Sequence, residues 1–480
     1  MSVKSFVGDK PDRPRWGPGD IVVLIGVLLL IFAGVRIGLD APAIVPGPAI
    51  NLSLAALPLY TLFSVARMFA AYALSLLFSL TYGYAAAHSK PAEAGLLPLL
   101  DVLQSVPILS FLPVAVLSFS ALLPEGIALE AASIILIFTS MSWNLAFSAY
   151  QSFTTIPGDL NEASDIFRLR PWLRFRLVEL PFAMRALVWN SLLSWAGGWF
   201  FLIAAETFTV GARDFRLPGL GSYLQTAAQT GDSRAIAWGL VALVLTIVAL
   251  DQVLWRPALA WAERYRLQLV EASAVTRSWL YDLLSRSWLI EEFLSRAWQP
   301  LGEAFDRALT AASRPARPAA QPRRRRNALG IALALALGLA LGYGGVQALL
   351  FVVRLPLADW GRIAVGVAAT AARVLIAITI AGAWTLPAGV LIGTNPRATT
   401  VALPTTQVVA SIPATALFPI FVVSLVNLPG GLNLAAILLM LLGTQWYVLF
   451  NVIAGAAAVP QELYYITDML RLPAGLRWSA

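Results

Sequence analysis

Long apolar blocks decide what this chain can become. Leu57–Ala86, Ile127–Tyr150 and Ala235–Trp255 each run for the thickness of a bilayer with few charges inside. A helix needs ~20 apolar residues to cross the hydrocarbon core. In lipid the backbone must satisfy its own hydrogen bonds, so such blocks form helices. Soluble domains carry about 25% charged residues; this chain of 480 residues carries 12% and is 59% hydrophobic. The expected fold class is all-α, a polytopic membrane protein.

Further blocks complete the reading. Ile21–Leu39 follows a basic tail, Met1–Asp20, and lacks a small-residue cleavage site, so it reads as an uncleaved anchor. Leu96–Leu122 is a third span, interrupted by Pro107 and Pro113, and Ala186–Phe208 is a fifth. Pro124-Glu125-Gly126 reads as a tight outer turn and Gly211–Arg234 as an outer excursion. Arg256–Arg326 is charged, with Trp279, Trp288, Phe293, Trp298 and Phe305 at roughly helical spacing. Such a pattern suits helices lying in the headgroup layer, and Arg314–Arg326 reads as a disordered linker. Ala328–Val353, Ile363–Gly393, Val401–Val426 and Leu434–Ala457 are the later spans.

These blocks repeat. Arg67 falls on Arg373, Pro107 on Pro413 and Pro113 on Pro419, each at an offset of 306. Trp143 falls on Trp446, Pro157 on Pro460, Asp165 on Asp468 and Arg168 on Arg471, each at 303. Matched Pro, Arg and Trp positions in one register exceed what a shared apolar bias produces, so two homologous helical bundles are expected. The expected division is a tail (1–20), a first span with its outer loop (21–56), a first helical bundle (57–255), a linker (256–326), a second first span (327–362) and a second bundle (363–480). The second bundle stops short of the first by about 80–90 residues, two helices of bilayer length, and the given sequence is expected to be a fragment.

Several chemistries are excluded. The chain has no cysteine, hence no disulfide or thiolate site. Its one histidine, His88, sits in a short polar stretch and reads as solvated surface. No Gly-rich phosphate loop ending in Gly-Lys-Ser/Thr is present, so ATP would have to be handled by another chain. No metal cluster or nucleophile–base set is visible, and no catalytic residue, metal or cofactor is expected in this chain. The net charge of +8 fits basic inner loops against anionic lipid better than nucleic acid. With the amino terminus inside, most of the basic residues fall on inner segments, as the positive-inside rule requires.

The segment Ile156–Pro181 stands apart. It opens on Pro157-Gly158-Asp159, a turn and cap signal. It then alternates Ile166, Leu169, Leu173 and Leu177 with Arg168, Arg170, Arg174 and Arg176 at helical spacing. A charged amphipathic helix between two spans suggests that something soluble docks there.

That segment resembles the coupling loop of binding-protein-dependent ABC permeases, type I importers. Their pattern runs Glu-Ala-Ala, three residues, Gly, and later Leu-Pro. Here Glu162-Ala163-Ser164 precedes Leu180-Pro181 at that distance, with Arg168 in place of the glycine. Ser105-Val106-Pro107 followed by Pro113, and Ala205-Glu206 followed by Pro218-Gly219-Leu220-Gly221-Ser222-Tyr223-Leu224, resemble the nitrate/sulfonate/taurine-type permeases. The resemblance implies a type I importer fold in the bacterial inner membrane, a small anionic solute of the nitrate, sulfonate, taurine or bicarbonate kind, two ATPase subunits that hold the ATP, and a periplasmic solute-binding protein. Carried onto this sequence, it places Glu162, Ala163, Ser164, Asp165 and Arg168, with Tyr465, Ile466, Thr467, Asp468 and Arg471 in the second copy, at the ATPase contact. Leu180 and Pro181 close the first loop. An ion-gradient transporter and a non-transporting membrane scaffold are the competing readings; scarce mid-membrane acids and parallel repeats speak against the first.

Glu206 is the notable charge near the end of a span. Such groups are costly and face a cavity or a partner, so it is either a gate or pathway residue or the partner of Arg213 or Arg216. Asn190, with Ser191 and Ser194, could line a path or bond between helices. Pro107 and Pro413 are further pathway candidates. Arg67 and Arg373 read as snorkelling anchors.

Overall fold

The structure, a computed structural model, describes residues 48–265 except 211–212, residues 356–457 except 411–412, and isolated positions near 281, 303–310, 343–353, 459 and 469. The expected spans at Ile21–Leu39 and Ala328–Val353, the run Arg314–Arg326, and the second-loop residues Tyr465, Ile466, Thr467, Asp468 and Arg471 lie outside the described residues, apart from scattered helical positions at 343–353. Through their described residues two compact units form: Ala71–Ser191 with Ala258–Leu355, and Ile44–Ala70 with Leu192–Pro257 and Pro356–Ala480.

The described residues are almost wholly helical. In order, the helices are α1 (Leu57–His88), α2 (Lys90–Ser105), α3 (Ile108–Leu122), α4 (Glu125–Thr154), α5 (Gly158–Ile166), α6 (Pro171–Arg174), α7 (Leu180–Glu206), α8 (Leu220–Gln229), α9 (Ser233–Leu250) and α10 (Arg256–Ala262). After the linker come α11 (Leu357–Gly393), α12 (Pro396–Ala410), α13 (Ala414–Leu425) and α14 (Gly431–Ala457). A short antiparallel hairpin, Thr209–Val210 with Arg213–Asp214, interrupts the helices after α7. Among the described residues, 6 helical stretches are long and apolar enough to cross a membrane. The protein is a multi-pass membrane protein.

Proline and small polar residues set the boundaries. The polar stretch after α1 is no open loop: Ser89 caps α2, its hydroxyl accepting from the Ala92 amide, and Pro91 sits in the first turn. The expected third span is two helices. Val106, forced into the extended region by the proline that follows, ends α2, and Pro107 starts α3. Pro113 sits inside α3, which accommodates it. Val401–Val426 is likewise divided, with Pro413 capping α13. Pro124 caps α4, so Glu125 and Gly126 belong to a helix and not to a turn.

Two prolines also widen helices. Phe175–Glu179 and Asp251–Trp255 are π turns, each followed by one residue and then a proline, Pro181 and Pro257. Proline lacks the N–H that would close the previous turn and crowds the carbonyl four residues back. A π turn absorbs the misfit by letting the Leu180 and Arg256 amides reach back to Phe175 and Asp251.

Helix pairs approach closely at glycine. A Cβ at Gly83 of α1 would sit 2.7 Å from the Ala149 Cβ of α4. Ser75 and Ser79 of α1 donate to the Phe138 and Ser142 carbonyls of α4 at 3.1 and 3.0 Å. Ala149, Phe153, Ala183 and Leu187 form the buried centre of this packing, with Tyr84, Phe175 and Leu180 against it. In the later helices, a Cβ at Gly389 of α11 would sit 2.7 Å from Val452 of α14, and Trp384 donates to Gln445 at 3.2 Å.

Candidate coupling loop and buried carboxylate clamp

The loop between α4 and α7 is not one amphipathic helix. Helix α5 ends in a Schellman turn: the Arg168 amide bonds the Asp165 carbonyl at 3.0 Å and the Leu169 amide the Ser164 carbonyl at 3.1 Å. Arg168 takes φ +48°, the left-handed region, and is the non-glycine residue in which it occurs among the described residues. This is the position where the resembling family has glycine, so the bend is present although the glycine is not. Beyond it the chain is extended at Arg170 and re-enters helix at Pro171. The expected apolar stripe is therefore broken: Ile166 and Leu177 are 78% and 58% exposed.

The four named residues of α5 divide by exposure. Ser164 is buried and its hydroxyl donates to the Asn161 carbonyl at 2.7 Å. Glu162 and Asp165 are exposed, Ala163 half-buried. The tip beyond them is apolar and open, with Phe167 75% exposed. Arg174 ties α5 back to the base of α7. Its Nη1 donates to Asp165 at 3.1 Å, Nη2 to Asn161 at 2.9 Å and Nε to Glu179 at 3.1 Å. Leu180 and Pro181 follow directly. On the other side of α6, Trp172 donates to Asp306 at 3.0 Å, Arg176 pairs with the same carboxylate, and Arg170 donates to the Thr310 carbonyl at 2.6 Å. The linker thus touches the basic side of this loop.

Glu206 lies at the other end of α7, in the second compact unit, and its side chain is fully enclosed. Ser64 donates to its Oε1 at 2.6 Å, Arg67 to Oε1 at 2.8 Å and the Gly221 amide to Oε2 at 2.7 Å. Arg67, 4% exposed, also donates to the Pro218 carbonyl at 2.9 Å. Ser64 in turn accepts from the Leu220 amide at 3.0 Å. The partner of Glu206 is therefore Arg67, and not Arg213 or Arg216; Arg67 is an interior residue and no snorkelling anchor. Both Gly219 and Gly221 lie against the carboxylate, and a Cβ on Gly219 would collide with it. The Pro218–Gly221 turn is thereby fastened to α1 and α7.

Arg216 is occupied elsewhere. It holds Asp214 through three short hydrogen bonds of 2.9, 2.9 and 2.5 Å. Partial burial pushes the Asp214 carboxyl up, but the Arg216 side chain and amide hydrogen bonds and the guanidinium charge outweigh it and hold it below the ordinary carboxylate range. Asn190 donates to Ser148 at 3.1 Å and to the Ala186 carbonyl at 2.9 Å, a bond between helices α7 and α4. Pro107 and Pro413 stand at helix breaks.

A family model described as "Binding-protein-dependent transport system inner membrane component" matches residues 79–254, which include α5, the Leu180-Pro181 pair and Glu206. Residues 79–254 form an ABC importer permease domain of this family. The chain is similar to the "Bicarbonate transport system permease protein CmpB" of Synechococcus elongatus (strain ATCC 33912 / PCC 7942 / FACHB-805). The match is 22% identical over 208 residues, covering 43% of this chain and 69% of that protein. The protein of the same description from Synechococcus sp. (strain ATCC 27144 / PCC 6301 / SAUG 1402/1) matches with the same identity and coverage.

Sequence reasoning missed several residues of both sites. His88 is exposed, as expected, but its ring also contacts Glu179 and stacks on Tyr84. Glu179 and Ser64 were not singled out, and Arg174 was counted as a basic face rather than a tie. A carboxylate immediately before Leu180-Pro181, at the edge of an apolar block, is the signal that could have found Glu179.

Proposed function

We propose that this protein is the permease subunit of an ATP-driven importer in the bacterial inner membrane, with its amino terminus in the cytoplasm. The carrying observation is α5: a short helix with exposed Glu162 and Asp165, an open Ile166–Phe167 tip, and a base tied by Arg174 to the start of a membrane helix. A protruding, rigidly rooted helix can pass the movement of a soluble engine to the spans beside it. Two ATPase subunits, which hold the ATP, would receive Glu162, Ala163, Ser164, Asp165 and Arg168 in one groove and Tyr465, Ile466, Thr467, Asp468 and Arg471 in the other. A periplasmic solute-binding protein would deliver the solute. Likeness to the bicarbonate permeases supports a small anion, with bicarbonate tested first.

The chain is proposed to carry two copies of the bundle. The helix break at Pro413 lies 306 residues after that at Pro107, and the contact of Gly389 with Val452 repeats that of Gly83 with Ala149 at offsets of 306 and 303. Glu206 is proposed as a structural clamp and not a gate, because every side of its carboxylate is occupied. Asn190 is proposed as an interhelical bond.

The test is co-purification of the full chain with the ATP-binding subunit of the same transport system, followed by bicarbonate uptake in vesicles. Replacing Ile166 and Phe167 with Asp should reduce recovery of the ATPase at least tenfold and abolish uptake. Uptake that persists without ATP, driven by an ion gradient, would overturn the reading.

A further inference from the structure

His88 closes α1, and its ring stacks on Tyr84 with centroids 4.0 Å apart. Nδ1 lies 3.0 Å from the Tyr84 carbonyl and Nε2 2.9 Å from Glu179 Oε1. Both ring nitrogens thus face acceptors, an arrangement that a doubly protonated ring satisfies. Glu179 is 1% exposed, and the same Oε1 accepts from Arg174 Nε at 3.1 Å. The other two nitrogen ends of Arg174 are spent on Asp165 and Asn161 of α5. Glu179 therefore stands between the end of α1 and the arginine that holds α5. It is itself the last residue of the π turn that opens into α7.

The energetics make this junction stiff. A buried carboxylate that loses one of its cationic partners is left poorly compensated, and breaking such a pair is strongly unfavourable. Its second oxygen, Oε2, is buried with no hydrogen-bond partner among the described residues, so the charge leans wholly on Oε1. Arg174 reaches three acceptors from one planar fork, which lysine cannot do. Displacing α5 would pull Arg174 off Glu179, and Glu179 would in turn lose register with His88.

We propose that Glu179 is a positioning residue, a latch that fixes α5 to the adjoining ends of α1 and α7 so that the three move as one body. This rests on the coupling role proposed above for α5, but its primary test does not. The chain has no cysteine, so Phe167→Cys supplies a single labelling site on the exposed tip. The full chain carrying a spin label there, in lipid nanodiscs and without partners, is compared with the same chain bearing Glu179→Gln. Gln keeps the shape and removes the charge that holds Arg174 and faces His88. The expected result is a rotational correlation time shortened at least twofold; an unchanged spectrum overturns the latch. If Glu179→Gln does not accumulate, His88→Gln, at a side chain 35% exposed, is read the same way with the same two outcomes.

A second readout separates positioning from folding. With the ATPase subunit bound as tightly as to the parent, Glu179→Gln should still permit ATP hydrolysis but move about tenfold less solute per ATP. Parental solute per ATP would overturn the latch. A parent chain that binds no ATPase would sink the coupling role instead, leaving the spin-label result to decide the latch.

Discussion

Replacing Arg67 with Met measures the buried clamp most directly. Met fills much of the same volume but leaves the Glu206 carboxylate, fully enclosed, with only Ser64 and the Gly221 amide. Removing one partner of a buried pair costs about 3–5 kcal/mol, because the remaining charge is uncompensated. A second variant, Arg67→Met with Glu206→Gln, removes both charges and should cost only the lost hydrogen bonds, about 1–2 kcal/mol. The double variant should therefore be more stable than the single one, by roughly 1–4 kcal/mol. The assay is the temperature at which detergent-solubilised protein loses its monodisperse peak. At roughly 2–4 °C per kcal/mol for a unit of this size, Arg67→Met should melt about 6–20 °C below the parent and the double variant about 2–8 °C below it. Limited proteolysis should show the single variant cut first near Pro218–Gly221, the turn the clamp fastens. A double variant no more stable than Arg67→Met would refute the argument, since charge pairing would then not be what holds the turn.

Other outcomes follow from single positions. Gly219→Ala places a methyl against the Glu206 carboxylate and should mimic Arg67→Met in the same melting assay, whereas Gly95→Ala, inside α2 with open space around it, should cost nothing and stabilise by up to about 1 kcal/mol. Arg168→Gly should slow amide exchange at Phe167–Leu169, because the left-handed conformation costs a non-glycine residue about 1–2 kcal/mol, more than the added freedom of glycine in the unfolded chain. The Asp214 carboxyl is held below its ordinary value in the folded hairpin, so its stabilisation is full above the unfolded carboxylate value near ~3.9 and is lost as pH falls through the folded value. Exchange at residues 209–216 should accelerate below that pH, and Asp214→Asn should flatten the dependence. Gly83→Val and Gly389→Val should each destabilise by about 1–3 kcal/mol through overpacking, read as loss of the folded peak on heating; tolerance at either position would remove that contact from the account.

The membrane class was legible because burial in lipid leaves so few options: an apolar block of the right length becomes a helix whatever its detailed sequence. Boundaries were less legible. The proline at 107 was seen, but whether a proline kinks a span or ends it depends on neighbours that can satisfy the freed carbonyl, and those are tertiary. The same holds for Pro181, whose misfit is absorbed by a π turn that no local pattern announces. At the loop between α4 and α7, the helical spacing of apolar and basic residues argued for an unbroken amphipathic helix, with Arg168 where the resembling family has glycine. Tertiary context prevailed: Leu169 and Arg168 amides close the Schellman turn, and the backbone accepts the left-handed angle. Glu206 was recognised as costly, yet its partner was sought nearby in sequence. The partner lies 139 residues earlier, a pairing that side-chain chemistry permits but cannot choose.

The two glycine contacts between helices, and the duplication proposed from them, bear on how the clamp should be understood. Gly83 against Ala149 and Gly389 against Val452 are the same packing solution: without a hydrophobic drive between helices in lipid, a small residue lets two backbones close. That solution needs only the two helices concerned, so it can recur wherever both are present. Arg67 and Arg373 occupy matching places too, but their surroundings differ. Arg67 is enclosed on Glu206, whereas Arg373 remains exposed and donates to Asn433 at 3.0 and 2.6 Å. Ser64 shares in the clamp, while the matching Thr370 turns back to the Gly366 carbonyl of its own helix. Arg67 is a buried structural charge because a carboxylate and a glycine turn enclose it. Burial of Arg67 is consequently a property of the Glu206 turn, and the stability of α1 at that level follows the turn and not the helix.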